Sequence, residues 1–324
     1  MRVCGAVSAA VRGLTSASAM AVATALVASG VSCVPDFTPA SRLDESPQVL
    51  AVRADPPEAA PGESVRLDAL VHWPGESPEY LWLVCVPTAA DTIDTCVTTR
   101  LGAGGVLLPL CASAPGAPLC YASRDATALY TVPADVGLGE DGTATIFLEL
   151  VVGDDVDGED CVRAYRDLNP SGRCLVALKR LAVSVEAPNI NPALRPLAVE
   201  VDGQPLDATD LISIDPTGAQ GDGLVVDLTV SVEPQTVDEV GGDDPPDEAR
   251  LPVAWYATCG GFDEDTADLV CEPPLVGQTD PRCDPVSVEW KPEASGECTV
   301  HVTVRDGRGG VAWITQRFVI GSGG

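Results

Sequence analysis

The sequence predicts an all-β protein: two tandem antiparallel β-sandwich domains that follow an export signal and a short tether. Three observations carry this expectation. Short apolar runs, several alternating with period two, recur from residue 49 onward, separated by Pro-Gly, Gly-Gly and Asp-Gly breakers. Beyond the first 32 residues no stretch sustains a 3.6-residue apolar period. The roughly 290 residues after the signal suit two domains rather than one, and an aperiodic stretch with three prolines, residues 187–196, divides them.

Residues 1–32 have the layout of an export signal. Arg2 and Arg12 give a basic, acid-free start, residues 19–28 (AMAVATALVA) form a short apolar region, and small residues lead to Gly30-Val31-Ser32-Cys33. The apolar region is too short, and too interrupted by Thr and Ser, for a membrane span. The layout resembles a bacterial lipoprotein signal, in which the cysteine is acylated and becomes the mature N-terminus. Ser32 and Val31 fit that pattern, while Gly30 stands where leucine is usual. The resemblance makes Cys33 the expected lipidation site and the membrane a partner through that anchor. Buried acyl chains contribute about 0.8 kcal/mol per methylene, so two or three hold a protein firmly. Ordinary cleavage after Ala28-Ser29-Gly30, with secretion and a free Cys33 thiol, is the alternative. Residues 33–46, bearing Pro and Ser and lacking periodicity, read as the tether.

The first domain is expected over residues 47–186. Its strands are Val49–Ala54, closed by Pro56 and Pro57; Ser64–Trp73, where Val65, Leu67 and Leu70 alternate with polar positions; and Tyr80–Pro87, buried by composition. Thr143–Val152 and Cys174–Val185 follow, separated by an acidic turn. The second domain, residues 197–321, opens with Leu197–Val201 and an Asp202-Gly203 hairpin signal. Gly223–Val232, Leu251–Ala257, Val286–Trp290, Cys298–Arg305 and Val311–Ile320 complete it, the last two joined by Asp306-Gly307-Arg308-Gly309-Gly310.

Cysteine usage agrees with export. Cys4 lies in the signal and Cys33 has its own role; the rest fall into five neighbouring couples: Cys85 and Cys96, Cys111 and Cys120, Cys161 and Cys174, Cys259 and Cys271, Cys283 and Cys298. An even count in an exported chain points to disulfides, although spacing leaves their connectivity open. Neighbours would close loops worth around 3 kcal/mol each in the chain-entropy model. There is no C-x-x-C, and His72 and His301 are far apart in sequence, so zinc, haem attachment and thioredoxin-type redox fit poorly.

Charge excludes a further class. The chain carries 48 acidic and 19 basic residues, a formal net charge of −29. Such a surface repels nucleic acid, so no DNA or RNA partner is expected. Only Lys179 and Lys291 are lysines. With aromatics scarce, the cores must be built from Val, Leu, Ile and Ala.

The segment VSVEWKPEASGECTVHVTVRDGRGGVAWITQRFVI resembles the closing half of a PKD- or cadherin-like immunoglobulin-type domain, with its V-x-V-x-D-x-x-G-G corner before the last strand. The opening VLAVRADPPEAAPGESVRLDALV resembles the first strand pair of bacterial Ig-like domains. The W-x-F-G-D-G signature of PKD domains is missing. Signal and paired modules together resemble surface lipoproteins of high-GC bacteria such as myxobacteria. The resemblance implies two Ig-like sandwiches on a cell-envelope, outer-membrane lipoprotein, acting as a non-catalytic binding or structural module toward an envelope protein, surface protein or glycan.

Three acidic loops are the candidate metal sites. The first holds Asp154, Asp155, Asp157 and Asp160, the second Asp243, Asp244, Asp247 and Glu248, the third Asp263, Glu264, Asp265 and Asp268. Calcium takes six to eight hard oxygens, which clustered carboxylates can supply. The first loop is similar to the start of an EF-hand, but Gly153 occupies its first ligand position and no glutamate stands at the twelfth. Solvated acidic turns are the simpler reading, with calcium-assisted adhesion or carbohydrate binding as the rival. No cofactor or catalytic residue is expected: G-x-S-x-G, H-E-x-x-H and the P-loop are all missing from the chain. His72 and His301 read as packed or surface strand residues. A secreted hydrolase using two of the many carboxylates is the catalytic alternative. Trp73, Trp82, Trp255, Tyr256, Trp290 and Trp313 would stack on sugars if exposed, but their strand positions favour packing.

Overall fold

Strand follows strand through the computed structural model, which describes residues 41–43, 46–87, 96–97, 108–158, 161, 164, 173–185, 189–207, 209–215, 224–233, 249–272, 282–293 and 295–321. Cys33, Asp160 and the second acidic loop lie outside the described residues. The first lobe contains β1 (Gln48–Asp55), β2 (Glu58–Ala59), β3 (Ser64–His72), β4 (Glu79–Cys85), β5 (Leu119–Ser123), β6 (Thr127–Thr131), β7 (Thr143–Gly153) and β8 (Cys174–Ser184). The second contains β9 (Ala198–Val201), β10 (Gln204–Leu206), β11 (Leu211–Ile214), β12 (Val226–Val230), β13 (Ala249–Ala257), β14 (Gly261–Phe262), β15 (Thr266–Glu272), β16 (Arg282–Cys283), β17 (Val286–Lys291), β18 (Gly296–Arg305) and β19 (Val311–Ile320).

Each lobe is a sandwich of two sheets. The first lobe pairs β1-β3-β6 with β2-β8-β7-β4-β5, and the second pairs β10-β9-β12-β17-β14 with β11-β19-β18-β13-β15-β16. Setting aside the short β10, β14 and β16, the strand orders of the two lobes coincide. In both, the opening strand divides between the sheets: β1 then β2, and β9 then β11. Its second part runs parallel to the last strand, β2 to β8 and β11 to β19. This is the immunoglobulin-type arrangement. The expected antiparallel sandwiches thus carry one parallel pairing each, where the chain crosses from one sheet to the other. Parallel pairing with a distant strand leaves no local turn signal by which to anticipate it.

Alternation explains the packing. In β3, Val65 and Leu67 turn inward to meet Trp82, Leu148, Leu150 and Leu181 from the facing sheet, while Arg66 and Asp68 turn outward. The second lobe closes around Trp255, Trp290 and Phe318, the last two rings 4.8 Å apart. Strands β4 and β7 are apolar on both faces: Leu81, Leu83, Phe147 and Val151 form a further cluster with Cys96, Val97, Cys161 and Ala164 on the outer side. Residues at or beside the Cys85–Cys96 and Cys161–Cys174 disulfides therefore cover part of what would otherwise be an exposed apolar face.

All ten cysteines beyond Cys33 are paired. Cys85–Cys96, Cys111–Cys120 and Cys161–Cys174 join neighbours, whereas the second lobe nests Cys271–Cys283 inside Cys259–Cys298. The couples Cys259 with Cys271 and Cys283 with Cys298 are thus corrected. Register is the reason: Cys271 faces Cys283 across β15 and β16. Cys259 lies beyond the end of β13, where Thr258 N donates to Thr299 O and brings it alongside Cys298 in β18.

Segments expected to connect are woven into the sheets. Leu43 N donates to Ala257 O and Ala257 N to Ser41 O, both at 2.8 Å, so residues 41–43 extend the sheet beside β13 where β15 leaves it. Leu43 is buried there with Leu50, Leu70 and Val311. In the stretch expected as linker, Arg195 N donates to Ser231 O and Glu233 N to Ala193 O.

Candidate functional site

The feature that gathers polar chemistry is the seam between the lobes. The outer face of β1 and β3 meets the outer face of β18 and β19. Leu50, Ala51 and Leu70 pack with Val311, and Tyr256 and Trp313 close the patch. Arg53 lies 4.4 Å over the Trp313 ring and donates to the buried Asp68 at 2.9 Å, so the cation is shared between ring and carboxylate. Two asparagines lash the lobes together. Asn191 Nδ2 donates to Ala54 O at 2.8 Å while its Oδ1 accepts from Val311 N at 2.8 Å. Asn189 donates from N to Glu58 Oε2 at 3.3 Å and from Nδ2 to Asp306 Oδ2 at 2.7 Å.

Where the β18–β19 turn approaches the edge of β8, the seam opens into a cleft of about 650 Å³. Lys179 and Arg180 line it from the first lobe, Arg305 and Arg308 from the second, with glycines 307 and 309 between them; among the described residues no carboxylate lines it. Lys179 is only 9 % exposed, and its Nζ donates to Gly309 O at 2.6 Å. Burial pulls its pKa down to about 8, Asp306 opposing and Arg305 reinforcing the shift. The two nearby carboxylates are engaged elsewhere. Asp306 Oδ1 accepts from Arg308 N and Gly310 N, shaping its own turn, and Glu58 accepts from Arg308 Nη2 at 3.4 Å. The turn also needs its glycine at 310, where a Cβ would collide with the Asp306 carboxylate.

At the other side of the seam His301 is 8 % exposed, with Nδ1 and the Thr315 hydroxyl 2.9 Å apart across β18 and β19. Burial, followed by the charge of His72, pulls its pKa down to about 4. A third buried ionisable group, Glu149, sits on the outer face of β7, 1 % exposed, with neither carboxyl oxygen hydrogen-bonded. Burial pushes its pKa up to about 8.

The residues singled out from sequence are arranged differently. Asp154 pairs with Arg173 at 2.6 Å and Asp157 with Arg124 at 2.7 Å, while Asp155 Oδ1 accepts from Asp157 N. The Asp154 and Asp157 carboxylates thus point to separate arginines. In the third loop Asp263 Oδ1 accepts from Glu264 N and Glu289 N, and Asp268 faces Arg250 at 3.6 Å. Among the described residues no three acidic, Cys or His side chains cluster in a way that holds a metal ion. Trp82, Trp255 and Trp290 are core residues, and half-buried Trp73 and Trp313 each carry an arginine over the ring. The cleft cations were not anticipated. The signal available was Lys179-Arg180 inside the apolar run CLVALKRLAVSV, where two charges interrupt a strand otherwise read as buried.

No family model and no curated protein matches the chain. Among solved structures, the fibronectin(III)-like modules of Clostridium thermocellum CbhA align over 83 % of this chain and 94 % of theirs, at 12 % identity and a TM-score of 0.21. The two tandem V-type regions of VCBP3, a v-region-containing chitin binding protein, align over 85 % of this chain and 100 % of theirs, at 10 % identity and 0.26. The C-terminal domain of the Streptococcus agalactiae AgI/II polypeptide BspA aligns over 85 % and 99 %, at 9 % identity and 0.25. At such scores the fold rests on the strand order above, and nothing about ligands passes from these proteins to this one. No helix among the described residues is long and apolar enough to cross a membrane.

Proposed function

We propose that this chain is a non-catalytic module of the cell envelope, held to a membrane by lipid at Cys33 and presenting two Ig-like lobes as one stiff body. The five disulfides carry the reading. Bonds of this kind persist in oxidising compartments outside the cytosol, and the export-signal layout of residues 1–32 agrees. The lashing of both lobes by Asn189 and Asn191 supports a structural or binding role in which relative orientation is kept. The buried ionisable groups support a non-enzyme: Glu149 has no hydrogen-bonded partner, Lys179 bonds a backbone carbonyl, and His301 meets a cross-strand threonine. None is arranged as a nucleophile with an oriented base.

Expression in a diderm bacterial host with an alkyne-tagged fatty acid tests the anchor. The wild-type chain is expected to take the label and partition with membranes, and Cys33→Ser to do neither. An unlabelled, soluble wild-type chain would replace anchoring by plain secretion.

A further inference from the structure

We propose that the cleft between the lobes is a binding site for a compact phosphate-type oxyanion, gripped by Lys179 and Arg180 from one lobe and Arg305 and Arg308 from the other. Four cationic residues line this space in a chain whose formal net charge is −29. They outnumber the two carboxylates beside them, and both of those are committed. Asp306 accepts three hydrogen bonds from its own turn and Asn189, and Glu58 serves Asn189 and Arg308. The cations retain unused donors. The Lys179 ammonium has three N–H groups and spends one on Gly309 O. Arg305 uses Nη2 on Leu50 O at 3.2 Å, and among the described residues the exposed Arg180 has no hydrogen-bond or ion-pair partner.

A purely mechanical role for Lys179, bolting β8 to the β18–β19 turn, explains one hydrogen bond. It does not explain three arginines around the same opening. A buried ammonium with no carboxylate partner among the described residues is costly, and an oxyanion would supply charge and acceptors together. Planar guanidinium forks suit the oxygens of a phosphate, and an ammonium adds a point charge. The acidic exterior does not forbid binding. At physiological ionic strength charges are screened beyond about 8 Å, so contact charges in the cleft dominate. Because each lobe gives two of the cations, the bound anion would also clamp the lobes.

Lys179 and Lys291 are the only lysines, so amine modification by an N-hydroxysuccinimide ester reads the cleft directly, with exposed Lys291 as the internal reference. The disulfide-intact chain is labelled at pH 8 in chloride and, at matched ionic strength, with inorganic phosphate, glucose 1-phosphate or vesicles containing phosphatidylglycerol. A ligand at about four times its Kd that covers the ammonium slows its modification about fivefold. That slowing is expected at Lys179 relative to Lys291, with a higher melting temperature, and both effects are expected to vanish in the Arg180→Gln/Arg305→Gln variant. Protection at lowest concentration by free phosphate, sugar phosphate or vesicles tells which source the cleft prefers. Should Lys179 resist labelling throughout, the melting temperature decides. No phosphate-specific change in either readout, or the same change in the double variant, would overturn the proposal. This outcome is independent of the Cys33 anchor, which labelling with fatty acid tests separately.

Discussion

Replacing Glu149 by glutamine tests how the disulfide-covered face of the first lobe is built. The carboxyl group is 1 % exposed, both oxygens lack hydrogen-bond partners, and burial raises its pKa from 4.5 to about 8. A carboxyl group whose pKa is raised by folding binds its proton more tightly in the folded state. The stability it confers is therefore present below pH 4.5 and lost as pH rises toward 8. At about 1.36 kcal/mol per unit, the wild-type chain should lose about 3 kcal/mol relative to Glu149→Gln between pH 5 and pH 8. The glutamine amide keeps the shape and cannot ionise, so its own unmet hydrogen bonds cost about the same at every pH. Urea unfolding of both chains at several pH values, disulfides intact, measures the difference. Subtracting one chain from the other cancels the many surface carboxylates they share. A difference that stays flat from pH 5 to pH 8 would refute the account of a buried, unpaired carboxyl group.

His301 works in the opposite direction: its pKa falls from 6.5 to about 4 on folding, so stability is present above pH 6.5 and lost as pH falls toward 4. His301→Gln should remove about 3 kcal/mol of acid sensitivity between those values, read as a flatter unfolding curve against pH. Removing Cys259–Cys298, with a sequence separation of 39, should cost about 4 kcal/mol, against about 3 kcal/mol for Cys271–Cys283 with a separation of 12. Urea titration of the two double-serine variants compares them, and the opposite order would contradict the chain-entropy argument. Asn191→Ala removes the side-chain hydrogen bonds to Ala54 O and from Val311 N, with the longer one to Asp55 Oδ1. It should cost about 1–3 kcal/mol and raise amide exchange at Val311 while leaving the interior strands protected.

How much of this was legible depends on where each instruction resides. Runs buried by alternation were readable within a residue or two: Ser64–Trp73 against the observed Ser64–His72, and Val311–Ile320 without change. Strands such as β5 (LCYAS), β6 (TALYT) and β15 (TADLVCE) were not anticipated, because their strand character comes from partners rather than from their own composition. The second lobe's cysteine pairing likewise depends on β16, two residues long and readable only once β15 is in place. Trp82, Trp255 and Trp290 fell in the core as their strand positions suggested. The cleft was beyond reach, because Lys179 and Gly309 meet 130 positions apart in sequence across a seam between lobes. Of the acidic residues conspicuous in sequence, Asp154 and Asp157 are tied to arginines and Asp263 to backbone amides.

The intact mass of the protein from membranes of its own host, taken without reductant and followed by a non-reduced peptide map, decides whether the chain is an anchored, oxidised envelope module. The expected chain begins at Cys33, is heavier by its acyl groups and lighter by the ten hydrogens of five disulfides, and has Cys259 joined to Cys298 and Cys271 to Cys283. Free thiols at those positions, or an unmodified N-terminus, would contradict an anchored, oxidised envelope module.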